Sequence, residues 1–501
     1  MYDLVVLGGG AGGLNVATAA ARVGAKVALV EQSRLGGECT FTACVPSKAL
    51  IQAAKLAHQA RTAGAFGIRT GDVNVDFAAV MARVRSVVAD FGGGDSAEIL
   101  RSKGIDVYFG SPAFEAYDTV LVDGQNRLEG RRFVIATGSR AAIPAIPGLA
   151  EAGYLDNVSV WNLTERPESL LVIGAGPVGI EFGQAFARLG SQVTILTDAP
   201  HILPREDPEV SDRVQALLEA EGIRFHTNVA VTGVTVDAGK KVCKFRNKAD
   251  GATFEAARSQ ILVATGRLAN VEGLNLEVVG VHADPEHGIE VDDYLQTHSR
   301  HVLAIGDVLG RWEFTHAAER EAAVAFQNAV LRIPKKMDYS TIPWATFSDP
   351  EVASIGRLSP PAQSDAIPET RTFRVELANV DRPRIDGQTS GFAKLLATPG
   401  GKILGVTIVG PEASCVLQEF VLAMEHNLTL SDIMGTVHTY PTYAGVARKL
   451  ANQFGASRLE KGYVRTALRW FFGFEPKNAD GAQPAPPTNV NAEPVGHDHV
   501  H

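Results

Sequence analysis

Two apolar patterns divide the chain. Up to about residue 335, apolar positions come in short, nearly unbroken runs: Leu4–Leu7, Val27–Val30, Phe133–Ile135, Leu170–Ile173, Val193–Leu196, Ile261–Val263 and Val302–Ile305. Such runs, lacking polar alternation, predict strands buried on both faces under covering helices. An Ala-rich helical segment to Arg22 separates the first two runs, and a second helical segment ends near Leu189. Beyond about residue 340 the texture changes to short runs such as Phe392–Leu396 and Ile403–Val409, then helical segments near 416–426 and 443–454. That pattern predicts antiparallel strands and an α+β unit. The expected class is α/β, with two Rossmann-like units followed by an α+β C-terminal domain.

The two strand–helix–strand stretches carry the same turn. Gly8, Gly10 and Gly13 follow the first strand, and Gly174, Gly176 and Gly179 follow the strand at 170–173. Each set spells G-x-G-x-x-G between a predicted strand and a predicted helix, the context in which this spacing cradles a pyrophosphate on a helix N-terminus. Two further apolar strands end in Ala-Thr-Gly, at Thr137-Gly138-Ser139 and at Thr265-Gly266-Arg267, where little bulk stands beside a bound nucleotide. Ala304-Ile305-Gly306-Asp307 puts an acid at the C-terminal end of another strand, where open α/β sheets bind ligands. The Pro-rich stretch 143–148 reads as an interdomain crossing. The first nucleotide domain is therefore expected to be discontinuous, 1–148 and 267–335, with the second at 149–266 inserted between them and a third at 336–458.

Composition narrows the function. The chain has 501 residues, 45% hydrophobic and 21% charged, which excludes a mostly disordered or fibrous protein. A net charge of −9 with no long Lys/Arg block argues against nucleic acid as a partner. No apolar run reaches the ~20 residues of a membrane span. Met1 leads straight into the first strand without a basic or spacer region, so no signal peptide is expected and the default compartment is cytoplasmic.

Four cysteines cannot make a disulfide framework in so long a chain. Two of them, Cys39 and Cys44, lie in Gly36-Gly37-Glu38-Cys39-Thr40-Phe41-Thr42-Ala43-Cys44-Val45-Pro46-Ser47-Lys48. Structural zinc would need a second such pair, and none exists. In an ideal helix, Cα atoms five residues apart are about 8–9 Å apart, beyond the ~7 Å limit of a relaxed disulfide, so a bridge would require a distorted turn. Spacing alone leaves open such a strained, reducible bridge or two unconnected thiols. Cys243 and Cys415 read as structural.

With these motifs quoted, the chain resembles the pyridine nucleotide–disulfide oxidoreductases, the group that includes mercuric reductase, dihydrolipoamide dehydrogenase and glutathione reductase. The resemblance covers about residues 1–455. It implies FAD in the first domain, NAD(P)H in the second and a homodimer through the third. Residue by residue, it implies that Gly8, Gly10, Gly13, Glu31, Gly37, Pro112, Thr137, Gly138, Ser139, Asp307, Thr315 and His316 hold FAD, with Glu31 on the adenosine ribose and Asp307 on the ribityl chain. Gly174, Gly176, Gly179, Thr197, Asp198 and Gly266 would hold the nicotinamide nucleotide. It further implies that Cys39 and Cys44 form a redox-active disulfide, Cys44 being the thiolate nearer the flavin and Cys39 the one that attacks substrate. Lys48 and Glu181 match an ion pair between flavin and nicotinamide.

The chain departs from the family at two places. Where disulfide reductases carry a His-Pro-Thr with a glutamate five residues after the histidine, this chain has Tyr440-Pro441-Thr442 and Gly445. Unperturbed tyrosine titrates near 10 and histidine near 6.5, so Tyr440 is a poor base at neutral pH. His438, two residues earlier, could face the same pocket in an extended segment, or could be an interface histidine without chemistry. Mercuric reductase resembles this chain in having a tyrosine there, but its C-terminal cysteine pair and its N-terminal metal-binding domain are absent. At the second place, Thr197 and Asp198 stand where the ribose is read, without an arginine for a 2′-phosphate, which leans towards NADH.

The implied enzyme passes electrons from NAD(P)H through flavin to a small-molecule or protein disulfide, a persulfide or a thiol-bound metal. Alternatives are a dihydrolipoyl dehydrogenase-like enzyme and a redox-responsive docking flavoprotein. An aromatic, arginine-bearing segment, 459–474, suits a peripheral membrane or protein docking helix, or a terminal helix packed on its own body. Residues 475–501 read as a disordered tail whose His497, His499 and His501 could catch a metal.

Overall fold

The computed structural model describes residues 1–94, 96–358, 369–459 and 462–473. The expected tail, 475–501, lies outside them. The apolar runs form two parallel sheets. In the first, the strands run in the order Val302–Ala304, Phe133–Ile135, Leu4–Leu7, Val27–Glu31, Ile105–Phe109. Leu4–Leu7 is wholly buried, as an unbroken apolar run requires. In the second, the order is Arg224–His226, Gln192–Leu196, Ser169–Ile173, Gln260–Val263. The chain leaves the first sheet region after the strand Ser139–Ala141 and returns through Arg267–Ala269, which pairs antiparallel with it. Only then does Val302–Ala304 dock beside Phe133–Ile135.

Each parallel sheet is flanked by an antiparallel three-stranded meander that the apolar pattern does not resolve. One comprises Pro112–Ala116, Thr119–Val122 and Asn126–Glu129; the other comprises Val229–Asp237, Lys240–Asn247 and Thr253–Arg258. The C-terminal unit is a five-stranded antiparallel sheet in the order Pro343–Thr346, Glu351–Gly356, Ile403–Gly410, Phe392–Ala397, Arg371–Glu376. The helices Gln418–Glu425 and Gly445–Leu459 bury Phe420 and Phe454 completely in its core. Each such phenylalanine contributes about 2–3 kcal/mol of hydrophobic stabilisation.

A second core joins the three units. Leu50 and Ala54 of the helix Cys44–Thr62, with Met81 and Val84 of Phe77–Gly92, pack against Leu170, Phe182 and Phe186. Val352, Phe392 and Val409 of the antiparallel sheet belong to the same cluster. The cysteine-bearing helix is therefore held against both later units, not against the first sheet alone.

Candidate functional site

Both glycine turns have the same stereochemistry. Gly8 has φ +110°, and a Cβ there would lie 2.2 Å from the carbonyl oxygen of Ala136; Gly174 has φ +111°, with the corresponding distance 2.1 Å to Ala264. The first glycine of each turn is thus demanded by the adjacent strand. The middle ones, Gly10 and Gly176, instead cap the helices Ala11–Arg22 and Pro177–Arg188, and no side chain caps either N-terminus. A Cβ on Gly176 would meet nothing within 4 Å, and on Gly10 only the Cα of Gly37 at 3.8 Å. The free N–H groups and the space beside them suit an anionic phosphate.

A cavity of about 1510 Å³ runs from the first glycine turn to the cysteines and on to Pro177, Val178 and Glu181. Gly37 (φ +68°) packs so close to Gly10 that a Cβ on it would sit 2.7 Å from the Gly10 Cα, which brings the cysteine segment alongside the turn. Glu31 ends its strand with both carboxylate oxygens engaged, Oε2 by the Gly9 N–H and Oε1 by the Ser33 N–H, each at 2.7 Å. Pro112, Thr137, Gly138, Ser139, Asp307, Thr315 and His316 line the same cavity. Ser139 Oγ donates to Asp307 at 2.8 Å, and Thr137 Oγ1 donates to the Asn270 carbonyl. An elongated dinucleotide fits this arrangement: an uncapped helix end for phosphate, a fixed carboxylate for ribose hydroxyls, and a channel onward to sulfur. These residues fit FAD.

At the far end, the chain does what a five-residue spacing requires to bring two sulfurs together. One helix, Gly37–Phe41, stops after carrying Cys39, and Thr42 and Ala43 leave helical geometry. A new helix, Cys44–Thr62, then begins on the second cysteine. Neither cysteine is in a disulfide, and each thiol acts on the other's titration. The hydrogen bond from Cys44 holds the Cys39 thiol down to about 6, with help from Thr315 and Lys48 and against burial. That same bond, burial and the Cys39 charge push Cys44 up. The pair thus gives up one proton readily and keeps the second. Cys44 Sγ lies 3.8 Å from Thr315 Oγ1, at the start of the helix Thr315–Phe326. His316 is turned aside, its Nε2 bonded to the Pro343 carbonyl at 2.7 Å.

One turn beyond Cys44, Lys48 Nζ meets Glu181 Oε2 at 2.8 Å and lies over the Phe347 ring. The carboxylate of Glu181 is nearly buried, and its other oxygen accepts the Phe347 N–H at 2.9 Å. The pair thus links the helices of the two nucleotide units.

Other expected residues lie elsewhere. Gly174, Gly176, Gly179, Thr197, Asp198 and Gly266 do not line this cavity; the second turn forms its own strand–helix corner. Asp198 is exposed, and Lys248 Nζ, a cation the sequence reading passed over, donates to it at 3.3 Å. Tyr440 and His438 do not line this cavity. The segment after Gly435 is not a strand but bends at 440–442, which breaks the alternation. His438 is turned inwards, Nε2 bonded to Glu419 Oε1 at 2.9 Å, whereas Tyr440 is 74% exposed.

Arg267 went unassigned from sequence. Its Nε donates to Ser139 Oγ at 2.7 Å and lies 3.7 Å from Asp307, and its guanidinium pairs with Glu38, next to Cys39. The signal was available: a charged residue directly after an apolar strand and an Ala-Thr-Gly turn.

Residues 2–322 match the pyridine nucleotide-disulphide oxidoreductase family, and residues 342–451 match its dimerisation domain. A mercuric reductase from Streptomyces lividans is 34% identical over 92% of this chain and 97% of its own length. A dihydrolipoyl dehydrogenase from Bacillus subtilis is 33% identical over 88% and 95% respectively. Among solved structures, a Cu(II) complex of the HOCl-induced flavoprotein disulfide reductase RclA from Escherichia coli has a TM-score of 0.79 at 24% identity, covering 90% of this chain and 99% of that one; this is a likeness of fold. The doubled glycine turn, the shared cavity and these matches have one reading: the chain belongs to the pyridine nucleotide-disulphide oxidoreductase family.

Proposed function

We propose that this protein is an NAD(P)H-dependent flavoprotein reductase in which Cys39 and Cys44 cycle between dithiol and disulfide and deliver electrons to a disulfide, persulfide or thiol-bound metal. The observation that carries this is the placement of Cys39 and Cys44 together on the lining of the cavity that begins at the first glycine turn, with the Lys48–Glu181 pair one turn beyond. On this reading 1–148 with 267–335 bind FAD, 149–266 bind the nicotinamide nucleotide, and 336–458 form a homodimer. Asp198 suits a ribose hydroxyl better than a phosphate, which favours NADH.

FAD, when bound, supplies the two-electron step between nicotinamide and sulfur. The protein's own groups do the rest. Cys39, ionised near neutral pH, attacks one sulfur of the substrate disulfide; a Cys39–substrate bond forms, and the first half departs as thiolate. Cys44 gives its proton to that leaving group and then attacks Cys39, releasing the second half and closing the Cys39–Cys44 disulfide. Two electrons have then passed from the dithiol to the substrate. Lys48 stabilises negative charge on the sulfurs, and Glu181 holds Lys48 in place. Tyr440, exposed on the third unit, is suited to meet substrate at a second copy's site and to donate a hydrogen bond there.

The His438–Glu419 pair favours a second reading, a dihydrolipoyl dehydrogenase-like enzyme that runs towards NAD⁺, because a carboxylate-oriented histidine is a workable base. The deciding experiment is anaerobic titration of the purified protein with NADH and then NADPH, followed by visible absorbance. Flavin bleaching with a long-wavelength band that Cys44→Ser abolishes supports the proposal; bleaching without that band sinks it. Rapid turnover with dihydrolipoamide and NAD⁺ would favour the second reading.

A further inference from the structure

The helix Gly462–Phe472 takes no part in the redox site and is built unlike any surface helix that needs only to be soluble. Trp470, Phe471 and Phe472 are consecutive and 80%, 72% and 66% exposed. Adjacent large aromatics left in water mark a surface that is covered in use. At about 100° per residue, Arg465, Thr466 and Arg469 share one face, while Val464, Ala467, Leu468 and Phe471 share the opposite face. Trp470 and Phe472 lie at the two borders between these faces. The helix contains two arginines and no carboxylate, in a chain whose net charge is −9.

We propose that this helix docks the protein on an anionic phospholipid surface, lying in the headgroup plane with its apolar face down. Charge selects this occupant. A chain of net charge −9 is repelled overall by an anionic bilayer, whereas this helix sets two arginines and no carboxylate beside the exposed aromatics. An apolar face with arginines above it and a tryptophan at the border is the pattern of an interfacial helix. Eleven residues span about 16 Å, far short of the ~30 Å hydrocarbon core, so the helix lies on the membrane and does not cross it.

The test uses the full-length protein with FAD bound, sedimented with vesicles of phosphatidylcholine alone or with phosphatidylglycerol added. Binding is expected to the anionic vesicles, to weaken at high salt, and to be slight on neutral ones. Each arginine near an anionic surface is worth about fivefold in partitioning, so R465Q/R469Q should bind about 25-fold more weakly. W470A/F471A should lose binding, and W470F should keep it while losing the blue shift of tryptophan fluorescence that accompanies docking. All these variants should retain flavin and NADH-driven reduction, so failure here is separable from failure of the redox proposal. Three results would overturn the inference: no binding to anionic vesicles, binding indifferent to lipid charge or to these substitutions, or a change of oligomeric state in the variants. The last would make this face an interface between copies.

Discussion

The hydrogen bond between the thiols makes a quantitative demand on Cys39. With its thiol held down to about 6, roughly 90% of Cys39 is thiolate at pH 7; an ordinary thiol near 8.5 would be about 3%. Cys44→Ala removes the S–H that stabilises that thiolate and leaves Thr315 and Lys48 in place, so the midpoint should rise above about 8. The rate at one pH would conceal most of this. Thiolate nucleophilicity grows with basicity at a slope of about 0.4–0.5, so each variant thiolate reacts about tenfold faster, and the two effects nearly cancel at pH 7. The informative assay is a pH profile of iodoacetamide alkylation on the reduced, anaerobic protein, with each cysteine followed by peptide mass spectrometry. The wild-type Cys39 profile should rise with a midpoint near 6. The variant should rise two or more pH units later, to a higher plateau. Cys243, which burial pushes up to about 12, should stay inert, and exposed Cys415 shows that the reagent reaches the protein. A wild-type midpoint near 8.5 would refute the reasoning, as would a Cys44→Ala midpoint unmoved from 6.

Further expectations follow from the same geometry. Gly8→Ala places a methyl on the Ala136 carbonyl and should yield protein without FAD, whereas Gly174→Ala meets Ala264 and should keep FAD but slow its reduction by NADH at least tenfold; absorbance and stopped-flow traces distinguish them. Lys48→Met leaves the nearly buried Glu181 carboxylate with only the Phe347 N–H, an expected loss of about 2 kcal/mol, and Lys48→Met/Glu181→Met should recover part of it in urea unfolding. Glu321, buried beneath the Gly306–Asp307 turn, is pushed up to about 7 by burial despite accepting the Gly306 N–H and the Tyr339 hydroxyl. An acid raised in the folded state contributes stability that is complete below its unfolded value near 4.5 and is lost as pH rises through 7. The Tm of the wild-type protein should therefore fall relative to Glu321→Gln between pH 5 and 8; parallel curves would count against it.

Much of this protein was legible along the chain because its signals are local. An unbroken apolar run followed by glycines at fixed offsets describes a buried strand, a turn and a helix within about 25 residues, and that geometry depends on near neighbours. The α/β class, the doubled turn, the antiparallel texture after residue 340 and the cysteine segment were all of this kind. The meanders were not, since strands such as Lys240–Asn247 set two buried apolar residues, Cys243 and Phe245, among mostly polar ones, too short an apolar pattern to identify a strand without its pairing partners. The site contacts that went unread were likewise tertiary. Arg267 meets Glu38 across 229 residues of chain, Lys248 meets Asp198 across 50, and His438 turns to Glu419 in a segment that bends where simple alternation predicts an extended strand. Sequence by itself determined which chemical groups were present and the local turns that hold them. Only the packed structure decided which charge faces which, because electrostatic partners are chosen by distance in space, and that distance exists only once the three units share a core.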